Sequence, residues 1–178
     1  MNEAVQQLTH VLPLPASCGQ SKDWNEVSRA VGTELPADYK QFIETFGGGY
    51  VDQHLWVLEP GCANEHYDLI TGIKHGDEAL EGLWELVEKP RELASGGRLI
   101  VWATTDNGEI GYWLARPGQS PEQWTVMVND ESGTVWEHFD MGFARFLLSA
   151  LDRDIVSEVL SYAFPKDPHG FEPSGDFV

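Results

Sequence analysis

The chain has 178 residues, 42% of them hydrophobic, with seven Trp and eight Phe, which is enough apolar mass for one domain with its own core. Its 29 acidic against 11 basic residues give a formal net charge of −18, and phosphate binding needs clustered Lys and Arg, so nucleic acid is excluded as a direct partner. No run of about 18 apolar residues is present for a membrane helix, and the start MNEAVQQ lacks the basic and apolar parts of a secretory signal, so a soluble cytoplasmic protein is expected.

Two readings of the acidity stay open. It keeps a protein soluble, or it forms a surface that docks on a basic partner, where charge complementarity speeds encounter and sets specificity. Cys18 and Cys62 lie far apart without a CxxC pair, so both read as ordinary thiols rather than a disulfide framework or a zinc knuckle.

In chain order, residues 1–22 read as a lead-in, with Pro13 and Pro15 against a helix across it. Trp24, Val27 and Val31 then recur at i, i+3, i+7 between Asp23, a candidate N-cap, and Gly32, a stop, which predicts a short helix. The stretch LPADYKQFIETFGGGYVDQHLWV, Leu35 to Val57, predicts a second one. Pro36 suits a first helical turn, Tyr39, Phe42, Ile43 and Phe46 share one face, and Gly47, Gly48 and Gly49 follow as a C-terminal stop. Two helices are therefore expected before a first strand from Tyr50 to Leu58, which Pro60-Gly61 turns away.

Between Asn64 and Lys89 helical spacing returns, with Leu80, Leu83, Trp84 and Val87 on one face and Glu78, Glu81, Glu85 and Glu88 on another. Those four carboxylates at i, i+3, i+7, i+10 form a stripe, ended by Pro90. After Gly96-Gly97 comes a meander: Leu99 to Thr105 and Ile110 to Ala115 joined at Asn107-Gly108, then Trp124 to Val128 and Thr134 to Phe139. Asp140 is placed to cap a helix carrying Phe143, Phe146, Leu147, Ala150 and Leu151, and Ile155 to Phe164 reads as its extension or as a second helix. The tail from Pro165 reads as irregular. No repeat or linker divides the chain, which gives one domain over 23–152, a helical extension with a tail over 153–178, and an α+β class with an antiparallel meander sheet packed by helices.

Catalytic and metal patterns are weak. No GxSxG is present, and nothing points a His and an Asp at Ser95, Ser132 or Ser157. Cys62 and His66 stand four residues apart, although such pairs are assembled from distant segments, and His54, His66, Asp68 and His75 crowd one region without an HExxH spacing. A phosphate cradle opens a helix, whereas Gly47 to Gly49 close one. Asp106 and Glu109 flank the Asn107-Gly108 turn as paired carboxylates do in glycosidases, but acids at a tight hairpin are ordinarily solvated. No catalytic residue, metal or cofactor is assigned. Most of the seven Trp read as core, with Trp102 and Trp136, in alternating strands, as candidates for outward interface anchors.

This order of elements, with Leu35-Pro36, Asp38-Tyr39, Phe42 and Gly48-Gly49 as its most specific residues and WATTDNGEIGYWL and FDMGFARFLLSAL following, resembles the SUKH superfamily over Trp24 to Asp152. The best-known branch is the Smi/Knr type, named for yeast cell-wall assembly regulators. The resemblance implies an α+β fold and, from the bacterial members, a non-enzymatic immunity protein that neutralises a cognate toxin by direct binding; a regulatory adaptor without a toxin is the alternative. The expected partner is a protein, such as a basic nuclease toxin domain, and the contact candidates are Glu78, Glu81, Glu85, Glu88, Trp102, Asp106, Glu109 and Trp136.

Overall fold

A computed structural model describes residues 1–17, 21–160 and 163–177; Cys18 and part of the expected 155–164 helix lie outside them. The class is α+β, as the sequence predicts, around one antiparallel sheet of seven strands.

Among the described residues three helices, not two, precede the first strand. The extra one is α1, Glu3–Val11, capped by Asn2, whose side chain accepts from the Ala4 N–H at 2.9 Å. Pro13 and Pro15 bound it rather than prevent it, because no Pro or Gly occurs in the twelve residues before them. Then α2, Trp24–Val31, starts at Asp23, which accepts from Asn25 and Glu26, and ends at Gly32. In α3, Ala37–Phe46, the periodic Tyr39, Phe42, Ile43 and Phe46 are all buried. Gly47 closes it at φ 77°, a conformation that a side chain resists, with its N–H on the Ile43 carbonyl at 2.8 Å.

The single strand expected over Tyr50 to Leu58 is a hairpin, β1 Gly49–Val51 and β2 Leu55–Val57. Its turn residues Asp52 and Gln53 sit at φ 51° and 53°. Asp tolerates this region because its short side chain bonds nearby backbone. Here the Asp52 carboxylate accepts from the Lys166 N–H at 2.9 Å, the Gly170 N–H at 2.8 Å and His169 Nδ1 at 2.9 Å, so a distant segment holds the turn.

The long helix α4, Leu69–Leu83, starts at Asp68 and stops seven residues short of Pro90. Gly82 weakens its last turn, and Trp84, the C-cap, still donates its N–H to the Leu80 carbonyl at 3.0 Å while its ring stacks on Trp136. The meander follows as predicted: β3 Arg98–Thr105, β4 Ile110–Ala115, β5 Thr125–Asn129 and β6 Trp136–Phe139. The next helix is α5, Phe143–Leu151, whose cap position is Gly142 rather than Asp140. Its first free N–H groups are served from outside, Asp38 Oδ2 accepting from Ala144 at 2.9 Å while Oδ1 takes the Tyr39 N–H at 2.7 Å. One carboxylate thereby joins the starts of α3 and α5, and its burial there holds its pKa above the usual value, against the pull of those N–H groups.

No α-helix forms among the described residues after Leu151. Instead β7, Phe171–Pro173, pairs antiparallel with β1 and completes the order β6-β5-β4-β3-β2-β1-β7. The tail is thus irregular over 165–170, as expected, and then forms an edge strand, seated by Phe171 against Phe46 and Phe42 at ring distances of 5.5 and 6.1 Å.

Helices cover both faces. On one, α1, α3 and α5 pack over Trp102 and Trp113; on the other, α4 lies along β3. Gly76 permits that approach, since a Cβ there would stand 2.4 Å from Val101 Cγ2. Among the described residues no helix is long and apolar enough to cross a membrane.

Candidate functional site

The face carrying α4 gathers most of the predicted contact residues, though not in the predicted arrangement. Glu78 and Glu81 project from α4, and Glu85 and Glu88 fall in the turn after it, so one straight helical stripe of four does not form. All four are exposed. Among the described residues no ion pair engages any of them, whereas neighbouring Asp77 is held by Arg98 at 2.9 Å.

Trp136 lies half-buried beside the end of that helix. Its ring packs on Trp84 at 5.8 Å and Tyr112 at 5.5 Å, and its indole N–H donates to the Gly133 carbonyl at 2.9 Å. Lys89 stands over Trp84 at 5.8 Å, a cation–π contact that fixes the platform. This platform is partly open, which suits an interface anchor.

Trp102 is different: it is 0% exposed, on the opposite face, with its ring 4.9 Å from Phe143 and 5.9 Å from Phe146. Alternation along β3 does assign neighbouring residues to opposite faces, but both faces are covered there, so neither points to solvent. Glu109 is likewise buried, accepting a hydrogen bond from the Thr105 hydroxyl while its own N–H donates back to that oxygen at 3.2 Å. Trp102 and Glu109 are therefore no part of a contact surface in this fold.

Asp106 remains exposed and ties together a cluster that the sequence did not reveal. It accepts from the Tyr50 hydroxyl at 2.8 Å and the Trp56 indole N–H at 3.0 Å. Trp56 is sandwiched between Tyr50 at 3.9 Å and Tyr67 at 3.8 Å, and the Phe177 ring meets its edge at 4.9 Å. Burial, and then the bond to Asp106, pushes the Tyr50 phenol up to about 12. Tyr50 and Trp56 are cross-strand partners, a relation visible only once the β1–β2 hairpin is known, and Tyr67 arrives from a separate 3-10 turn, Glu65–Tyr67.

The metal and thiol candidates disperse. His54 is buried against Phe164 at 5.7 Å, and burial lowers its pKa, with Glu109 and Asp106 pulling the other way. The Asp68 oxygens accept from Gly61 and Thr71, both at 2.8 Å, as the cap of α4. Among the described residues no group of three His, Cys, Asp or Glu is placed to hold a metal ion, and no hydrogen bond joins Cys62 to His66.

Comparison with the curated proteins gave no match, and comparison with the solved structures gave none. A family model does match, that of the SMI1 / KNR4 family (SUKH-1), over residues 20–145. That span runs from the approach to α2 into the first turn of α5, taking in the α4 face and six of the seven strands. It covers well over half of the sequence, and the chain belongs to the SMI1 / KNR4 family (SUKH-1).

Proposed function

We propose that this protein is a non-enzymatic binding module acting in the cytoplasm as an immunity protein, which neutralises a cognate toxin by covering its active surface. The observation that carries this reading is the set of exposed carboxylates Glu78, Glu81, Glu85 and Glu88, with no ion pair among the described residues, beside the Trp84–Trp136 platform in a chain of net charge −18. Like charges held at a surface without counter-ions cost folding energy through self-repulsion, and a basic partner relieves that cost on docking. A nuclease toxin fits the chemistry, because its substrate groove must be basic and carboxylates at the right spacing take the places of phosphates. Steric and electrostatic occlusion is then the whole mechanism.

Co-expression with the products of neighbouring genes tests this, scored by rescue of growth and by co-purification. The immunity reading predicts that one neighbour is toxic alone, is neutralised by this chain, and co-purifies with it. Rescue by the Glu78→Lys, Glu81→Lys, Glu85→Lys, Glu88→Lys variant at wild-type level overturns the assignment to this surface. A complete absence of a toxic neighbour favours the regulatory adaptor instead.

A further inference from the structure

Between α4 and the β3–β4 hairpin lies an open groove of about 280 Å³. Leu58, Val101 and Ile110 give it an apolar floor, Ala79 and the helix glycines Gly72 and Gly76 its α4 wall, and Glu65, His66 and His75 its rim. Gly72 and Gly76 bring α4 close on Leu58 and Val101, where a Cβ would stand 2.7 and 2.4 Å from those side chains, so the lining left open to solvent is Ala79 with half-buried Ile110 and Thr104. At one end the groove meets the aromatic stack: Tyr67 follows the rim residue His66, and Thr104 in the opposite wall is the cross-strand partner of Trp56.

Its charge is one-sided. The segments that build it, 58–79 and 101–110, contain seven carboxylates and a single basic residue, Lys74, and no Lys or Arg lines the groove among the described residues. Several of the carboxylates are already engaged: Glu59 by Lys22, Asp77 by Arg98, Asp68 as a helix cap, and Glu109 by burial. Glu65, Glu78 and Asp106 are exposed and carry no ion pair among the described residues.

We infer that this groove seats a basic segment of the partner protein, one apolar side chain entering against Ala79, Thr104 and Ile110 while flanking Lys or Arg side chains meet Glu65, Glu78 and Asp106. The inference rests on the protein-binding reading above and deepens it by naming the seat and the chemistry of its occupant. A second copy of this chain does not suit the seat, since two molecules of net charge −18 repel. Burial of one leucine-sized side chain supplies the part of the affinity that charge attraction alone does not.

The test uses the full chain, labelled with nitrogen-15, and a short synthetic peptide in which a leucine is flanked by lysines and arginines; a second peptide of equal charge has serine in place of leucine. The inference predicts saturable shifts at the amides of Ala79, Thr104 and Ile110 and at the Trp56 indole N–H, with affinity falling about tenfold or more for the serine peptide. Ala79→Arg, at an exposed helix position, abolishes these shifts while leaving the rest of the spectrum in place. Shifts spread over the acidic surface and equal for both peptides, or no shifts, overturn the groove. The two proposals fail separately: a missing toxic neighbour removes the immunity reading without touching this titration, and an Ala79→Arg variant that still binds a proven partner at full affinity removes the groove alone.

Discussion

Trp102 and Trp136 belong to one sheet and are three strands apart, yet one is 0% exposed beneath α5 while the other keeps part of its ring in solvent beside Trp84 and Tyr112. The contrast extends to the two faces. Under α1, α3 and α5 the aromatic rings pack edge to face, Tyr39 on Trp113 at 4.9 Å and on Phe143 at 5.3 Å, and the buried Tyr39 hydroxyl donates to the Leu58 carbonyl. Three helices suffice to close that face. On the other, the fifteen residues of α4 cover the middle strands and leave a half-open aromatic cluster toward each side, Trp84–Trp136 and Tyr50–Trp56–Tyr67, with exposed carboxylates around them. Coverage, not composition, separates the core from the candidate surface.

Removing one ring from each face is expected to have the largest effect. Trp102→Ala is expected to destabilise the fold by about 3–5 kcal/mol in urea unfolding, the usual cost of a large aromatic removed from a closed core. Trp136→Ala is expected to cost less than half as much, because its ring is already part-solvated. Equal losses would mean that the two faces are equally closed. Next in size is Asp38→Ala, which takes the shared acceptor from the starts of α3 and α5 and is expected to cost about 1–2 kcal/mol, while Asp38→Asn keeps an acceptor and loses less.

A smaller, pH-dependent effect is expected at His54. Burial lowers its folded pKa below the ordinary 6.5, so the unfolded chain takes up the proton first as pH falls. Its neutral form therefore supports the fold above about 6.5 and that support is lost as pH drops below it. Melting temperatures compared between wild type and His54→Phe are expected to shift in favour of the variant on going from pH 7.5 to pH 5.5; a difference that does not change with pH refutes the buried, neutral assignment. Smallest of all is the effect on stability of replacing Glu78, Glu81, Glu85 and Glu88 by lysine, expected to stay within about 0.5 kcal/mol per site because all four are exposed and none forms an ion pair among the described residues.

What the sequence revealed follows from where the determining contacts lie. Helices α2 and α3 and the β3–β4 hairpin were legible because Asp23, Gly32, Gly47 and Asn107-Gly108 act on their immediate neighbours. The β1–β2 hairpin was not, since Asp52-Gln53 lacks a glycine and is stabilised by Lys166, His169 and Gly170, more than a hundred residues away. Strand β7 was hidden for the same reason: one phenylalanine between prolines and glycines carries no local pattern, and its seat is made by β1, Phe42 and Phe46, far away in the chain. At the candidate surface, helical periodicity was sufficient to mark Glu78 and Glu81 as solvent-facing. Periodicity assigned Trp102 to a face but said nothing of which faces are covered, and the grouping of Tyr50, Trp56, Tyr67 and Asp106 joins four separate stretches that only the folded sheet brings together.

The proposed docking of a basic protein on the α4 face is tested most directly by titration calorimetry of this chain against its co-purified partner at low and high salt. Affinity that falls steeply with salt in the wild type, and that drops about a hundredfold with loss of the salt dependence when Glu78, Glu81, Glu85 and Glu88 are reversed to lysine, is the predicted result. An affinity and a salt dependence that survive the reversal unchanged contradict it.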